Sequence, residues 1–188
     1  MTITRGYSRV SRHPTDRGYM AERFSGIVLR RPKDGGEPDR PTLGEIGLNH
    51  FAPYLMNRII ARWNANLAEE LREYDLTTAK MRTLAVLSVS DSLTINELSV
   101  FAVIEQSTMS RTLDSLEEQG YIRRTPRAED MRIRDVTITE EGRTAFATFW
   151  PTMYDSMLRM FDAIDEDEYR TFTGILHKIL VNIRKHEI

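Results

Sequence analysis

Five arginines, Arg123, Arg124, Arg127, Arg132 and Arg134, fall within one short stretch of chain and are offset there by only Glu129 and Asp130. Guanidinium groups at that density suit one chemistry above others, the charge-assisted, fork-shaped hydrogen bond to phosphate or carboxylate oxygens. Just upstream, Gln106, Ser107, Thr108, Ser110 and Arg111 crowd the start of a segment with a helical repeat. An amide, three hydroxyls and a guanidinium at a helix start match the groups that read base edges in a duplex groove. Glutamine pairs with adenine, arginine with guanine, and short hydroxyls with either base or with phosphate. The same residues also have ordinary uses, Ser107 as a helix cap and Ser110 as a solvated side chain. Met109 lies on the apolar side with Leu113 and is read as core. Arg127 and Arg134 are candidate phosphate contacts, whereas Arg123 and Arg124 serve equally well as the solvated face of a strand.

Other chemistries find little support. The chain has no cysteine, which excludes disulfides, thiolate metal sites and thiol nucleophiles. His13, His50, His177 and His186 are scattered without metal-ligand spacing, and the acids of DAIDEDE read as carboxylates at a helix start. No glycine-rich phosphate loop and no nucleophile with its base is recognisable. The expectation is a protein without catalytic residues, metal or cofactor.

With 188 residues and 40% hydrophobic content, the chain can bury one substantial core with an appendage. No apolar run reaches the roughly 18 to 20 residues that cross a bilayer, and the first thirty residues lack a signal-peptide core, so a soluble, cytoplasmic protein is expected. The formal net charge of -2 gives no bulk basicity, so any nucleic-acid partner must be met by local charge. Residues 1–41 hold nine Lys and Arg against five Asp and Glu, and are rich in glycine and proline. They read as an irregular basic arm or a disordered tail, with FSGIVL (24–29) able to form a strand or pack on the body.

The elements that must position these groups follow from periodicity. Leu48, Phe51, Leu55, Ile59, Trp63, Leu67 and Leu71 mark one face of a long helix, in which Pro53 is tolerable if the helix begins near Ala52. Thr77 caps a second helix carrying Met81, Leu84 and Leu87, and TINEL (94–98) is a capping box opening a third. Ile104 to Gln119 forms a fourth, closed by Gly120 as a left-handed residue. The period then becomes two: Tyr121 to Arg127 and Arg132 to Thr139 read as strands of a hairpin, a two-stranded wing. Thr139 caps a further helix carrying Phe146, Phe149, Met153, Met157 and Met160, and a last one starts near Asp165 with Phe172, Ile175, Ile179 and Ile183.

This order, together with LTTAKMRTL, TINEL, STMSRTLDSLEEQGYIRR and EDMRIRDVTITEEG, resembles the MarR family of bacterial regulators from about Leu48 to Ile183. The resemblance implies a mainly α fold with a small β-wing, a winged helix-turn-helix domain (76–140) and dimerisation helices on either side (48–74 and 141–187). The whole family-like domain is 42–188, following the arm at 1–41. It further implies a sequence-specific DNA-binding transcriptional regulator that binds a near-palindromic operator in double-stranded DNA. Arg132 matches the family's wing arginine that enters a minor groove, where narrow geometry concentrates negative potential. Asp130 is then expected to hold an arginine, Arg132 or Arg111, by a charge-assisted hydrogen bond. Two positions depart from the family pattern: Glu105 stands where a small N-cap is usual, and Val103 where the preceding turn usually has a small residue or glycine.

Members of the family commonly respond to small aromatic or phenolic anions. Arg58 and Arg62 lie one helical turn apart near Trp63, so a carboxylate effector can be held beside an aromatic wall, although surface arginines need no ligand to explain them. The first and the two last helices carry more apolar stripe than a small wing domain can cover, which points to a homodimer, the alternative being a monomer whose terminal helices fold back on the core. Such a dimer would be a repressor relieved by its ligand. The rival from another class is a winged-helix module that binds a protein. It would show apolar exposed positions on the recognition helix and a wing without arginines, and the acids Glu105, Asp114, Glu117, Glu118, Glu129 and Asp130 are its best support.

Overall fold

Residues 41–74, 76–127 and 130–184 are described in the computed structural model. The arm and its candidate strand lie outside these residues, save for Pro41. The chain divides into two compact units between Arg62 and Trp63.

The described part of the first unit opens with a capping box, in which the Glu45 amide donates to the Thr42 hydroxyl and Glu45 accepts from the Thr42 amide at 2.7 Å. This box starts α1 (Leu43–Ile46), and a single 3-10 turn (Leu48–His50) precedes α2 (Ala52–Leu71). Because α2 begins at Ala52, Pro53 falls in the first turn, where its missing N–H costs no intrahelical bond.

In the second unit Thr77, Thr94 and Thr139 cap helices as their types and positions predict. Their hydroxyls accept from Lys80, Glu97 and Gly142 and open α3 (Thr78–Ser88), α4 (Ile95–Phe101) and α6 (Glu140–Met160). Between α4 and α6 lie α5 (Gln106–Glu118), β2 (Ile122–Pro126) and β3 (Arg134–Ile138). Asp165 caps α7 (Glu166–Ile183) with a full capping box, so those acids serve a helix start.

The wing has three strands where two were expected. Leu93–Thr94 forms β1 and pairs antiparallel with β3, Leu93 opposite Val136 and Thr94 opposite Asp135, giving the order β1-β3-β2. Two residues are too few to show a period-two pattern, yet they satisfy amide and carbonyl groups that β3 would otherwise leave open. Pro126 ends β2, which is an edge strand and tolerates the lost donor.

Two cores result. Leu84, Leu87, Leu98, Met109, Leu113, Leu116, Ile122 and Val136 join α3, α4, α5 and the sheet in one cluster. Met109 is fully buried there, as its place on the apolar side predicts. Leu67, Leu71, Met81 and Phe149 form a second cluster, with Trp63, Tyr74 and Met153 half-buried against it. No helix among the described residues is long and apolar enough to cross a membrane.

A paired motif ends the two helices of the helix-turn-helix. After α5 the Tyr121 amide donates to the Leu116 carbonyl and the Gly120 amide to Glu117, with Gly120 at φ +73°. After α4 the Ile104 amide donates to Ser99 and the Val103 amide to Val100, so the same closure is made with Val103 at φ +54°. Both are Schellman closures, whose left-handed position favours glycine and opposes a β-branched side chain. Val103 is 78% exposed, so it recovers little burial for that strain. Replacing Val103 with glycine is therefore expected to stabilise the protein by about 1 kcal/mol, the relief of an L-residue in the left-handed region less the unfolded-chain entropy of glycine. A thermal melt should rise by about 2–4 °C. An unchanged or lower midpoint would mean that the turn holds valine without strain.

Candidate nucleic-acid interface

The first turn of α5 exposes Gln106, Ser107, Thr108, Ser110 and Arg111 while Met109, Thr112 and Leu113 turn inward. This division follows from the 3.6-residue period. Glu105 is the N-cap, but its side chain makes no capping hydrogen bond, so the helix starts two residues later than Ile104. Ser110 donates to the Gln106 carbonyl at 3.3 Å and Arg111 Nε lies 3.5 Å from the Ser107 carbonyl.

An open cleft of about 520 Å³ runs between this helix and the wing. Gln106, Ser107 and Ser110 line one side, Arg132, Ile133 and Arg134 the other, and Thr94, Ile95 and Asn96 the end. Five of the nine proposed DNA contacts thus meet across one concavity. Thr108, Arg111, Arg127 and Asp130 are not among its lining residues.

The wing arginines are not equivalent. Arg132 and Arg134 are exposed. Arg127 places its guanidinium on both Asp135 oxygens, at 2.6 and 3.1 Å. That hydrogen bond holds the Asp135 carboxyl below its ordinary range. Asp130 does hold Arg132, though by the backbone and not the guanidinium expected: its Oδ1 accepts the Arg132 amide at 2.9 Å. The Asp130 carbonyl also accepts from Ile133, so a tight turn occupies positions that the sequence assigned to the strand.

Arg124 was readable as a solvated residue and is not one. It shares the Ile122 face of β2, and its guanidinium turns onto α5, with Nε 2.8 Å from Glu117 and Nη1 2.8 Å from Asp114. Its amide donates to the same Glu117 at 3.0 Å. The Arg124 hydrogen bond holds Glu117 below the usual carboxylate range, and the pairing raises the guanidinium further. The signal was present in the sequence: period two puts Arg124 beside buried Ile122, and Asp114 and Glu117 stand three apart on one helix face. Arg123, one residue away, is exposed.

Asn96 is the cleft residue that sequence reasoning passed over. It sits between Thr94 and Glu97, whose side chains are occupied with their own capping box, and it accepts from Gln106 Nε2 at 2.6 Å. Hydrogen bonding to Thr94 keeps Glu97 ionised below its ordinary range.

Of the ligand candidates, Arg58 stands 5.8 Å over the Tyr54 ring and Arg62 is exposed. Neither has a carboxylate partner among the described residues. Trp63 is half-buried against Leu67, Leu71, Met81 and Phe149.

A family model described as the MarR family matches residues 74–133. A crystal structure of a MarR family transcriptional regulator from Silicibacter pomeroyi is 49% identical, covering 79% of this chain and 100% of that one, with a TM-score of 0.75. The HTH-type transcriptional repressor IacR of Pseudomonas putida is 24% identical over 143 residues, 76% of this chain and 86% of that protein. A mutant of MarR from E. coli, solved in complex with operator DNA, shares the fold at 23% identity, covering 68% of this chain and 92% of that one, with a TM-score of 0.60.

Proposed function

This chain belongs to the MarR family of transcriptional regulators, and we propose that it acts as a homodimeric repressor that reads a near-palindromic operator through α5 and the wing. The observation that carries this reading is the cleft in which Gln106, Ser107 and Ser110 face Arg132 and Arg134. Base-reading and phosphate-binding groups lie across one concavity, as a helix in a major groove with a wing over the adjoining backbone requires. Repression is supported by the name of the IacR relative.

Dimerisation is supported by uncovered apolar surface. No residue of α7 is buried, and Phe172, Ile175, Leu180, Val181 and Ile183 are 40 to 68% exposed. Trp150, Tyr154 and Leu158 of α6 are 43 to 51% exposed. A second copy covers such faces with the same residues, and a two-fold axis presents two α5 helices about 34–36 Å apart, one DNA turn. The effector is a small, carboxylate-bearing aromatic held by Arg58 or Arg62. It releases DNA by favouring a different spacing of the two winged domains. The rival protein-binding reading loses two of its supports, since Asp114 and Glu117 are engaged by Arg124.

Fluorescence anisotropy against the DNA upstream of its own gene and a scrambled duplex, at several salt concentrations, tests the reading. If the charges of Arg111, Arg132 and Arg134 in each subunit all displace counterions from the duplex, log K should fall with log salt at a slope of about -5. Two protomers should bind each site, and an aromatic acid should lower the signal. Equal, weak binding to both duplexes would sink the operator reading.

A further inference from the structure

The contact between Asn96 and Gln106 does more than join α4 to α5. A glutamine amide has two N–H donors and one acceptor oxygen. Recognition of adenine in the major groove uses the oxygen, to accept from N6, and one N–H, to donate to N7. One donor is surplus. In this structure Asn96 Oδ1 takes a hydrogen of Gln106 Nε2 at 2.6 Å, and both side chains are exposed at the cleft. With Asn96 on the hydrogen anti to Oε1, the syn N–H and the Oε1 form the set that adenine needs. With the amides placed as here, flipping Gln106 alone would bring oxygen against oxygen at that distance; turning both together restores the bond with Asn96 as the donor, an arrangement that Asn96→Asp removes. A long side chain with three free torsions is thereby held before DNA arrives.

We propose that Asn96 is a positioning residue that turns Gln106 into a fixed reader of adenine, so that each operator half-site carries an A·T pair beneath the start of α5. This rests on the operator reading above and adds to it the identity of one base and the residue that enforces it. The Thr94 and Glu97 side chains flanking Asn96 are closed on each other, which leaves Asn96 as the polar side chain that the start of α4 turns to Gln106.

Selection from a randomised duplex pool by the full-length protein, followed by sequencing, tests it. The wild-type pool should enrich a symmetric site with adenine at one fixed position per half. Gln106→Ala should lose that preference by about tenfold or more, and Asn96→Ala should relax the same position by about fivefold while leaving the salt slope unchanged. Asn96→Asp still accepts from Gln106 and should keep the adenine preference while its negative charge weakens binding to all sequences alike. A thermal melt of each variant controls for folding, since both side chains are exposed.

Retention of the adenine preference by Asn96→Ala, or loss of it by Asn96→Asp, would overturn the positioning role. An enriched site indifferent to Gln106→Ala would overturn the inference while leaving the operator reading intact. A wild-type pool with no enriched sequence would overturn both.

Discussion

Replacing Gly142 with alanine is expected to destabilise the protein by about 3 kcal/mol or more, the upper end of what overpacking costs, and to lower the melting midpoint by about 6–12 °C. A Cβ at this position would lie 2.1 Å from the Tyr121 carbonyl oxygen and 2.9 Å from Ile138 Cγ1. Neither neighbour can yield easily. The Tyr121 carbonyl accepts the Thr139 amide at 3.0 Å, and the Thr139 hydroxyl donates to the Gly120 carbonyl at 2.7 Å while capping α6 through the Gly142 amide. The start of α6 is thereby fastened to the turn that closes α5. Glycine is needed there for room and not for an unusual torsion, so any side chain forces α6 away from the recognition helix. Denaturant and thermal unfolding check this directly. An alanine variant as stable as the parent would mean that α6 and the turn slide apart at no cost.

Replacing Arg132 with alanine should weaken operator binding by roughly 10- to 100-fold, within the 1–3 kcal/mol of a lost groove contact. The salt slope should fall by about 1 for each subunit if the lost partner is phosphate, and the affinity ratio between operator and scrambled duplex should fall if it is a base edge. The Arg132 backbone is fixed by Asp130 while its guanidinium has no carboxylate partner among the described residues. Stability should be unchanged, because the side chain is exposed. Parental affinity and slope in this variant would remove the wing from the interface and leave α5 to carry recognition alone.

Local signals were the legible part of this fold. Thr77, Thr94, Thr139 and Asp165 cap helices because a short oxygen-bearing side chain at a helix start has a chemically obvious task, and Gly120 closes α5 because glycine tolerates positive φ. Met109 was assigned to the core by period alone. What escaped depended on partners distant in sequence. β1 exists only because β3 offers it an edge. The inward turn of Arg124 depends on acids seven and ten residues earlier, and Asn96 acquires meaning only when α5 folds back over α4. Glu105 and Val103 showed in the sequence as departures from pattern. Their outcomes, an N-cap without a side-chain bond and a strained left-handed valine, needed the backbone to be seen.

The pairing of Arg124 and Arg127 with acids also bears on how the protein finds a site on a chromosome. Nonspecific attachment to DNA is almost wholly a matter of counterions displaced by unpaired cations. Here two of the five wing arginines are occupied within the fold, by Asp114 and Glu117 in one case and by Asp135 in the other. The chain as a whole is slightly anionic. On the operator reading, contacts with random sequence are therefore expected to be brief, with a search by repeated dissociation and re-encounter more than by long sliding. Less of the protein would then be held on bulk DNA as a reservoir, and operator occupancy should follow the number of copies in the cell closely.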